Sequence, residues 1–407
     1  MRTVDEQLRR VLEIAVRPAP VRVAISDAQG LRSAEEVVTA RPMPGFDQAA
    51  IDGYAVRSVD LSGAVEAEPV SIPVVGEIPA GSRQPLRLQP GQAVRVTAGA
   101  PLPTLADAVV PLDNTDGGSA RLQVFRGVPS ASFVRRVGED VQPGDVAVRR
   151  DAIVGAAQVA LLAAAGRDKL LVHPRPRVSV ISVGDELVDV ARPPSNGQVP
   201  DICSHALTAA ARECGAETAR ARTVRCDARE LRAAVEDLLP VSEIIVVAGG
   251  AGGNAGAEAN AAFAGLGEID ATRVAMHPGS SQAFVRLGDD AVPTFLFPAH
   301  PATALVLFEV LVRPVIRVGL GAEPHRKAVS ARLTSPISSP KGRRSYLRGR
   351  LLREQATGDY LVQPLAVAGT HLLSSLAEAN GLIVVGEDVT DATVDERVDV
   401  ALLSSRR

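Results

Sequence analysis

The strongest constraint on the fold is an alternation of apolar runs and helical stretches between residues 173 and 321. RVSVISV (177–183) and EIIVVAGG (243–250) are typical of buried strands, while DICSHALTAAARECG (201–215) and ARELRAAVEDLL (228–239) have the length and spacing of helices. The remaining elements expected here are the strands AETARARTVR, ATRVAMH and VPTFLF and helices that end near Leu266 and run from about Ala302 to Val312. Strands that alternate with helices indicate a doubly wound parallel sheet with right-handed crossovers.

Shorter β segments occupy both sides of this region. Between residues 21 and 150, the runs VSIPVVGEI, QAVRVTAGAPLP and ADAVVPLDN are broken by glycine and proline, which favours strands joined by tight turns. AVSARLTS, YLRGRLL and GLIVVG repeat the pattern between 322 and 407. Helical spacing before two prolines predicts a helix over residues 1–18, and the apolar stretch 156–165 predicts a buried helix. The chain is therefore predicted to be an α/β protein of several domains.

Charge and cysteine content exclude several functions. Charged residues make up 22% of the chain and the net charge is −3, so no bulk field attracts nucleic acid or an anionic membrane. The first ten residues lack the apolar core of a signal peptide, and the longest apolar stretch, 152–165, is too short to span a bilayer. Cys203, Cys214 and Cys226 have neither zinc spacing nor an even number, which predicts reduced thiols. A cytoplasmic protein without nucleic-acid binding or membrane insertion is expected.

Ligands of an open parallel sheet bind beyond the carboxyl ends of its strands, so the loops there are candidate sites. Asp185 and Glu186 follow the strand 177–183 and either hold a hard cation through oxygen or cap a following helix. The glycines of the loop 249–254 either let backbone N–H groups approach a phosphate or make a flexible turn. His300, in the stiff loop PAHP, is either structural or catalytic.

Acidic and basic residues also cluster in the β-rich region. Asp47 and Asp52 flank a short apolar segment in FDQAAIDGYAVR, where they serve a turn, a metal or a nucleophile. Arg135 and Arg136 precede Gly-Glu-Asp140 and form either a solvated pair or an anion clamp. The residues alone leave these alternatives open.

Taken together and in this order, the segments resemble the family of molybdopterin molybdenumtransferases, MoeA and the gephyrin E domain, over nearly the whole chain. FDQAAIDGYAVR is similar to the family's FDNSAMDGYAVR, AGAPLP to TGAPLP, SVGDELV to STGDELV and GQVPD to GQIYDSN. RVAMHPGSSQAF is similar to VAMKPGKPLAF, PAHPATA to PGNPVSA, VRRVGEDVQPGDV to IRRRGEDI-type text, and SYLRG to a late arginine motif.

The resemblance implies a reaction: adenylylated molybdopterin is hydrolysed and molybdate is inserted into its dithiolene with Mg²⁺ present. Together with the strand-end loops described above, it gives three sets of expected site residues. The catalytic acids are Asp52, Asp140 and Glu186. The binding residues for the molybdopterin substrate are Gly249, Gly250, Gly252, Gly253, Arg273, Pro298, Pro301 and Arg348. The Mg²⁺ ligands are Asp185, Glu186 and Asp227.

The resemblance also implies an L-shaped homodimer of four-domain subunits. The doubly wound, MogA-like domain that binds molybdopterin is expected over residues 1–20 and 173–321. A linking domain is expected over 21–44 and 141–172, a β-rich domain over 45–140, and a small C-terminal β domain over 322–407.

Several family residues are replaced in this sequence. The threonine of TGAP is Ala98, with Thr97 beside it, and two family aspartates align with Cys226 and Ala257. Asp227 and Glu258 are the neighbours of those two positions. The two lysines of the KPGKP text are His277 and Ser280, which removes positive charge from a region expected to bind an anion.

Two functions follow as hypotheses. The first is catalysis of molybdenum insertion, with the acids holding metal or polarising water and the glycine loop holding phosphate. The second is a dimeric scaffold that resembles gephyrin and actinobacterial gephyrin-like proteins. Such a scaffold binds the linear peptide tail of a cytoskeletal protein, such as the division protein FtsZ, or of a membrane protein, and it tolerates the substitutions.

Overall fold

The computed structural model describes residues 1–83, 87–355, 358–365 and 373–403. The chain divides into two compact units. The inserted unit is Arg22–Val172, and the main unit consists of Met1–Val21 and His173–Arg407. No helix in the described ranges combines the length and the apolar character needed to cross a membrane. The architecture is mixed α/β with several sheets, as the sequence predicted.

The first element is α1 (Val4–Leu12), which packs in the main unit through Val4 and Val11. Its start is fixed by a capping box: Glu6 N donates to the Thr3 hydroxyl, and Thr3 N donates to the Glu6 carboxylate. The helix ends at Leu12, so the prediction of a helix over 1–18 was wrong at its C-terminal end. Beyond it, the Val16 carbonyl lies so close to Gly319 that a Cβ there would be 2.9 Å away, so the chain after the helix packs against α7 in place of continuing the helix.

The inserted unit contains short strands and one helix: β1 (Val21–Ala24), β2 (Arg32–Ser33), β3 (Val37–Val38), β4 (Gln48–Ala49), β5 (Gly53–Val56), β6 (Val70–Ile78), β7 (Ala93–Val96), β8 (Ala108–Pro111), β9 (Arg121–Val124), β10 (Val134–Arg135), β11 (Val146–Val148), α2 (Ala156–Ala164) and β12 (Lys169–His173). Five of them form a sheet in the order β8-β5-β7-β6-β9. Both faces of this sheet are buried, since Tyr54 and Val56 enter one core cluster and Ala55, between them, enters another.

A second cluster of the inserted unit lies under α2. The sheet β1-β12-β2 and the pair β3-β11 bury Val37, Val154, Leu170 and Val172 against this helix. Leu162 is the residue of α2 that is fully buried, while most of its alanines face solvent. The prediction of a buried helix was therefore wrong: an apolar sequence does not reveal that a helix packs on one side alone.

The main unit continues with a doubly wound sheet and its helices: β13 (Arg177–Val183), β14 (Leu187–Val188), β15 (Val199–Pro200), α3 (Cys203–Glu213), β16 (Glu217–Val224), α4 (Ala228–Leu238), β17 (Ile244–Ala248), α5 (Gly253–Phe263), β18 (Met276–His277), β19 (Ala283–Leu287), β20 (Val292–Phe297), α6 (Pro301–Leu307) and α7 (Arg313–Gly319). A π-helical segment, Phe308–Val312, joins the last two helices. The sheet order is β16-β13-β17-β20-β19.

Strand order locates the ligand crevice of this sheet. The chain passes from β13 to β16 on one side through α3, then crosses to β17 on the other side through α4. The first four strands of the sheet are parallel and β19 is antiparallel at the edge. The switch point therefore lies between β13 and β17, at their carboxyl ends.

The remaining elements form the C-terminal β domain: β21 (Ala328–Leu333), β22 (Ile337–Ser338), β23 (Arg344–Arg353), β24 (Tyr360–Pro364), α8 (Leu373–Glu378), β25 (Gly381–Val385), β26 (Asp391–Ala392) and β27 (Arg397–Leu402). Five strands pair in the order β23-β24-β21-β27-β25, and β25 pairs back with β23, which closes a barrel. The strand predicted from ATRVAMH is reduced to β18, which joins β23 of this barrel and not the parallel sheet.

Candidate functional site

Gly249 closes the switch point between β13 and β17. Its backbone has φ +85°, and a Cβ at this position would lie 2.2 Å from the carbonyl oxygen of Val183. The Gly249 N–H donates to the Phe297 carbonyl at 2.9 Å, which ties the loop to the end of β20 as well. Only glycine accepts both the positive φ and this close approach. Gly249 is thus anchored to the end of β20, directly beside the end of β13.

The start of α5 lies immediately beyond this loop. Gly252 and Gly253 have φ values of +85° and +56°, and a Cβ at Gly253 would meet no described atom within 4 Å. The helix has no side-chain cap and no acidic residue in its first turn. Its first backbone N–H groups therefore carry the positive end of the helix dipole without a side-chain cap, which is the arrangement that binds phosphate.

Asp185 and Glu186 follow β13 at the same edge of the sheet. No helix begins here, because the chain enters β14, so capping does not explain these acids. Asp185 accepts from the Cys226 N–H at 3.3 Å and lies 3.5 Å from Arg225 Nε. The Glu186 carboxylate folds back over Gly184, where a Cβ would meet its oxygens at 2.8 Å. Both carboxylates are accessible from the crevice edge.

The loop after β16 contributes a thiol surrounded by acids. Burial raises the pKa of Cys226, and the carboxylates of Asp185, Glu258, Glu186 and Asp227 raise it further. The thiol is therefore protonated and a poor replacement for the aspartate that the family motif has there.

Two of these acids already accept hydrogen bonds from backbone N–H groups at the start of α4. Asp227 is its N-cap and accepts from the N–H groups of Glu230 and Arg229 at 3.0 and 2.9 Å, which lower its pKa. Glu258 accepts from the Ala228 N–H at 2.9 Å. Among the described residues, no group of three or more His, Cys, Asp or Glu side chains is placed to hold a metal ion. The Mg²⁺ ligand set of Asp185, Glu186 and Asp227 stays a prediction.

Sequence reasoning did not single out Asp201, which is 2% exposed. Its carboxylate accepts from the hydroxyls of Ser182 and Thr223 and from the backbone N–H of Ser204. Burial alone would raise the pKa of Asp201, but these hydrogen bonds outweigh it and the net shift is downward. The available signal was Asp201 three residues before Ser204 at the start of a helical stretch, which is typical of a cap.

His277 and Ser280, which stand where the family text has lysine, lie in a segment between the sheet and the barrel. Burial, together with the charge of Arg343, lowers the pKa of His277, which is half-buried. The Ser280 hydroxyl and both amide atoms of Gln282 are buried without a hydrogen-bond partner in the described part of the chain. Arg273, at the start of this segment, is exposed, and its carbonyl accepts from Arg2 N at 2.9 Å.

The other binding residues proposed from the motifs occupy two places. Pro301 is the first residue of α6 and His300 is its N-cap residue, while Pro298 directly follows β20. The Thr303 hydroxyl lies 3.5 Å from His300 Nδ1, in agreement with a structural role for this ring. Arg348 lies in β23, is 6% exposed, and has its pKa lowered by burial. It belongs to the C-terminal barrel and not to the carboxyl edge of the parallel sheet.

Three motifs meet within the inserted unit. Pairing of β4 with β10 brings FDQAAIDG beside the arginine pair, where Arg136 Nη1 donates to Asp47 at 2.6 Å. Asp47 also accepts from the Val137 N–H, and these contacts lower its pKa. Arg135 lies 3.7 Å from Asp140. The pair therefore forms salt bridges, although both arginines stay largely exposed.

Asp52 is an exposed acid of this cluster. It accepts from the backbone N–H of Ala98 at 2.8 Å, so the motif position that lost its threonine still contacts Asp52 through the main chain. The neighbouring Thr97 hydroxyl accepts from Ala80 N at 2.8 Å. Gly53 is required next to Asp52, because a Cβ would lie 2.1 Å from the Val110 carbonyl oxygen. The structure thus brings Asp52, Asp140 and the arginine pair into one unit, and the catalytic role of the two acids remains a prediction.

The chain combines a doubly wound sheet, which has a glycine-lined crevice suited to an anion, with a β-rich inserted unit and a closed C-terminal barrel. This combination defines a class of multidomain ligand-binding α/β proteins. Family models match three regions: the MoeA N-terminal region (domains I and II) at residues 2–166, a probable molybdopterin binding domain at 179–318, and the MoeA C-terminal region (domain IV) at 330–403. The chain belongs to the MoeA family.

Individual relatives agree over the full length. The chain is 56% identical to molybdopterin molybdenumtransferase 1 of Mycobacterium tuberculosis over 99% of both chains. It is 36% identical to molybdopterin molybdenumtransferase 2 of that species, over 98% of this chain and 99% of the relative. A crystal structure of the molybdopterin biosynthesis MoeA protein from Pyrococcus horikosii superimposes with a TM-score of 0.78 at 30% identity and 99% coverage of each chain.

Proposed function

We propose that this protein is a molybdopterin molybdenumtransferase, which hydrolyses adenylylated molybdopterin to AMP and molybdopterin and inserts molybdate into the dithiolene. The observation that carries the proposal is the uncapped start of α5 beside the Gly249 loop, with the Glu186 carboxylate on the adjacent loop of the switch point. This arrangement would bring a substrate phosphate and an acidic side chain to one crevice. The names of the relatives at 56% and 36% identity support the same activity.

Each part of the crevice has a role in this proposal. The N–H groups of α5 would hold the phosphates, and Glu186 would orient water or a metal ion. Mg²⁺ in phosphoryl reactions is usually held by one or two carboxylates together with substrate phosphates, where it neutralises developing charge. Asp185 and Glu186 fit that arrangement because both follow β13 and are accessible. Asp227 fits it poorly, since its carboxylate already caps α4.

The test is release of AMP by purified protein given adenylylated molybdopterin, molybdate and Mg²⁺. We expect release above buffer, a strong decrease when Mg²⁺ is omitted, and a decrease of about 10²-fold or more for Glu186→Gln, the range of losses seen for a positioned acid–base group. Asp237→Asn, an exposed surface change on α4, is the matched control. No release above buffer by the intact chain would refute the activity.

We also propose that the protein is a cytoplasmic homodimer. Light scattering of the purified chain should give twice the subunit mass of 42.4 kDa. A single-subunit mass at micromolar concentration would contradict the homodimer.

A second candidate function is binding of a linear peptide, favoured by a groove in the main unit. The groove has a volume of about 510 Å³ and is lined by Leu305 and Val306 of α6, by α8, and by Leu382 of β25. Glu213 and Glu378 also line it, so its charge complements a basic segment. We propose as occupant a short apolar peptide flanked by Lys or Arg, as in the tail of a cytoskeletal or membrane protein.

Calorimetric titration of the full chain with such tail peptides tests this candidate. Saturable binding that weakens at least tenfold in Glu213→Lys, and not in the control Glu217→Lys outside the groove, would support it. Equal binding of a sequence-scrambled peptide, or no binding by any tail, would contradict it.

A further inference from the structure

We infer that Asp201 is the positioning residue that fixes the Glu186 carboxylate at the switch point, an inference that rests on the proposed function. Asp201 is outside the loops that directly follow the parallel strands: it comes after β15 and just before α3. No described residue donates a hydrogen bond to the Glu186 carboxylate. Its position therefore depends on the backbone of residues 184–188, and that backbone is held through Asp201.

The Asp201 side chain joins the ends of two strands to a helix. Ser182, next to last in β13, donates to Oδ1 at 2.8 Å, and Thr223, next to last in β16, donates to Oδ2 at 2.7 Å. The Ser204 N–H in the first turn of α3 donates to Oδ1 at 3.0 Å. A buried carboxylate is stable only with such partners, so its three hydrogen bonds fix the orientation of all three elements.

The backbone around Asp201 fixes the other end of the loop. Asp201 N donates to the Val188 carbonyl at 2.8 Å, and Val199 N donates to the Glu186 carbonyl at 2.9 Å. Gly184 N donates to the carbonyl of Val224, the residue after Thr223, at 3.1 Å. Asp201 thus holds the segment before Glu186 through Ser182, the segment after it through Val188, and the neighbouring strand β16 through Thr223. Glu186 lies between Ser182 and Val188 along the chain.

A displaced Glu186 should affect the chemical step more than substrate binding, because the phosphates are assigned to the glycine loop and α5. Misplacement of a catalytic group by about 1 Å costs on the order of 10²-fold in rate. Asp201→Asn keeps the shape and one acceptor oxygen but cannot accept all three hydrogen bonds. Thr223→Val removes one of them, and Thr223→Ser keeps it.

A matched control lies on the same strand. Ser179 of β13 is buried, and its hydroxyl is 2.7 Å from that of Ser242, a similar polar contact far from the carboxyl edge. Ser179→Ala should lower the melting temperature and leave the rate of AMP release unchanged. It therefore separates a general loss of stability from a loss of position at Glu186.

The experiment combines steady-state AMP release with hydrogen exchange of the full chain. For Asp201→Asn we expect kcat to fall about 10- to 100-fold, with KM within about threefold of the wild-type value. The kcat of Thr223→Val should fall less, and the kcat of Thr223→Ser should be close to that of the wild type. Amides 184–188 should exchange faster in Asp201→Asn and not in Ser179→Ala. Full kcat in a destabilised Asp201→Asn, or unchanged exchange of 184–188, would overturn the inference. If the wild-type chain releases no AMP, the proposed function fails, while the exchange result still decides whether Asp201 positions the loop.

Discussion

Gln282 places its side-chain amide in an apolar environment. It is 3% exposed, neither of its amide atoms has a partner among the described residues, and Phe284 on the same face of the segment packs into the apolar core. The similar family text has leucine at this position. Unpaired buried polar groups lower stability, so this residue marks a local conflict between sequence and fold.

Gln282→Leu should therefore stabilise the protein. Removing an unsatisfied buried amide is expected to raise the free energy of unfolding by about 1–3 kcal/mol, because its desolvation cost disappears. Urea unfolding of the full chain measures this, with the exposed Ser281→Ala as control. A loss of stability would mean that the amide has a hydrogen-bond partner in solution.

Asp201 gives a pH-dependent stability. Its folded pKa lies below the usual value of 3.8, so its contribution is fully present above pH 5, declines as pH falls through 3.8, and is lost below the folded pKa. The stability difference between wild type and Asp201→Asn should thus be largest near neutral pH and shrink in acid. Urea unfolding from pH 7 down to pH 3 measures it, and a difference that grows in acid would contradict the downward shift.

At the scale of elements, buried parallel strands and amphipathic helices were predictable because their apolar residues recur at fixed spacing. RVSVISV and VPTFLF became β13 and β20. The exceptions depend on distant contacts: β18 joins the barrel through β23, and α6 continues through a π-helical segment into α7 beyond the predicted end at Val312. Periodicity contains no information about such partners.

The candidate site was predictable to a similar extent. Strand ends and glycine spacing located Asp185, Glu186 and the 249–254 loop. That Asp227 and Glu258 are bound to the start of α4, and that Asp201 is enclosed by two strands, depends on three-dimensional packing. Spacing along the chain therefore located the crevice but not the side chains that hold it in place.

Two glycines of the crevice loop should differ in their tolerance of alanine. Gly249→Ala introduces a Cβ 2.2 Å from the Val183 carbonyl oxygen at φ +85°, so we expect a loss of about 3 kcal/mol or more, beyond the strain of positive φ alone. Gly253→Ala has open space and φ +56°, so a loss of about 1 kcal/mol is expected. Chemical unfolding of both variants measures the difference, and equal losses would show that the clash is relieved.

At the scale of the whole molecule, the inserted unit begins and ends on neighbouring strands. β1 and β12 pair within one sheet, and the unit has core clusters of its own. The four-domain boundaries from the sequence remain a prediction, although the matched MoeA N-terminal region overlaps most of this unit.

A fragment of residues 21–173 should accordingly fold alone. We expect a cooperative thermal transition by circular dichroism and dispersed amide resonances, because its ends need no closure by the rest of the chain. The matched comparison is a fragment of 45–173, which lacks β1, β2 and β3 and should lose cooperativity. A disordered 21–173 fragment would contradict the independence of the unit.

Closure of the C-terminal barrel affects how copies of this protein associate at high concentration. Sheets usually end in strands whose unpaired N–H and C=O groups recruit the strands of other chains. Return pairing of β25 with β23 leaves none of the five barrel strands with such an unpaired side along its whole length. The barrel strands of crowded copies therefore offer little template for intermolecular β-sheet growth.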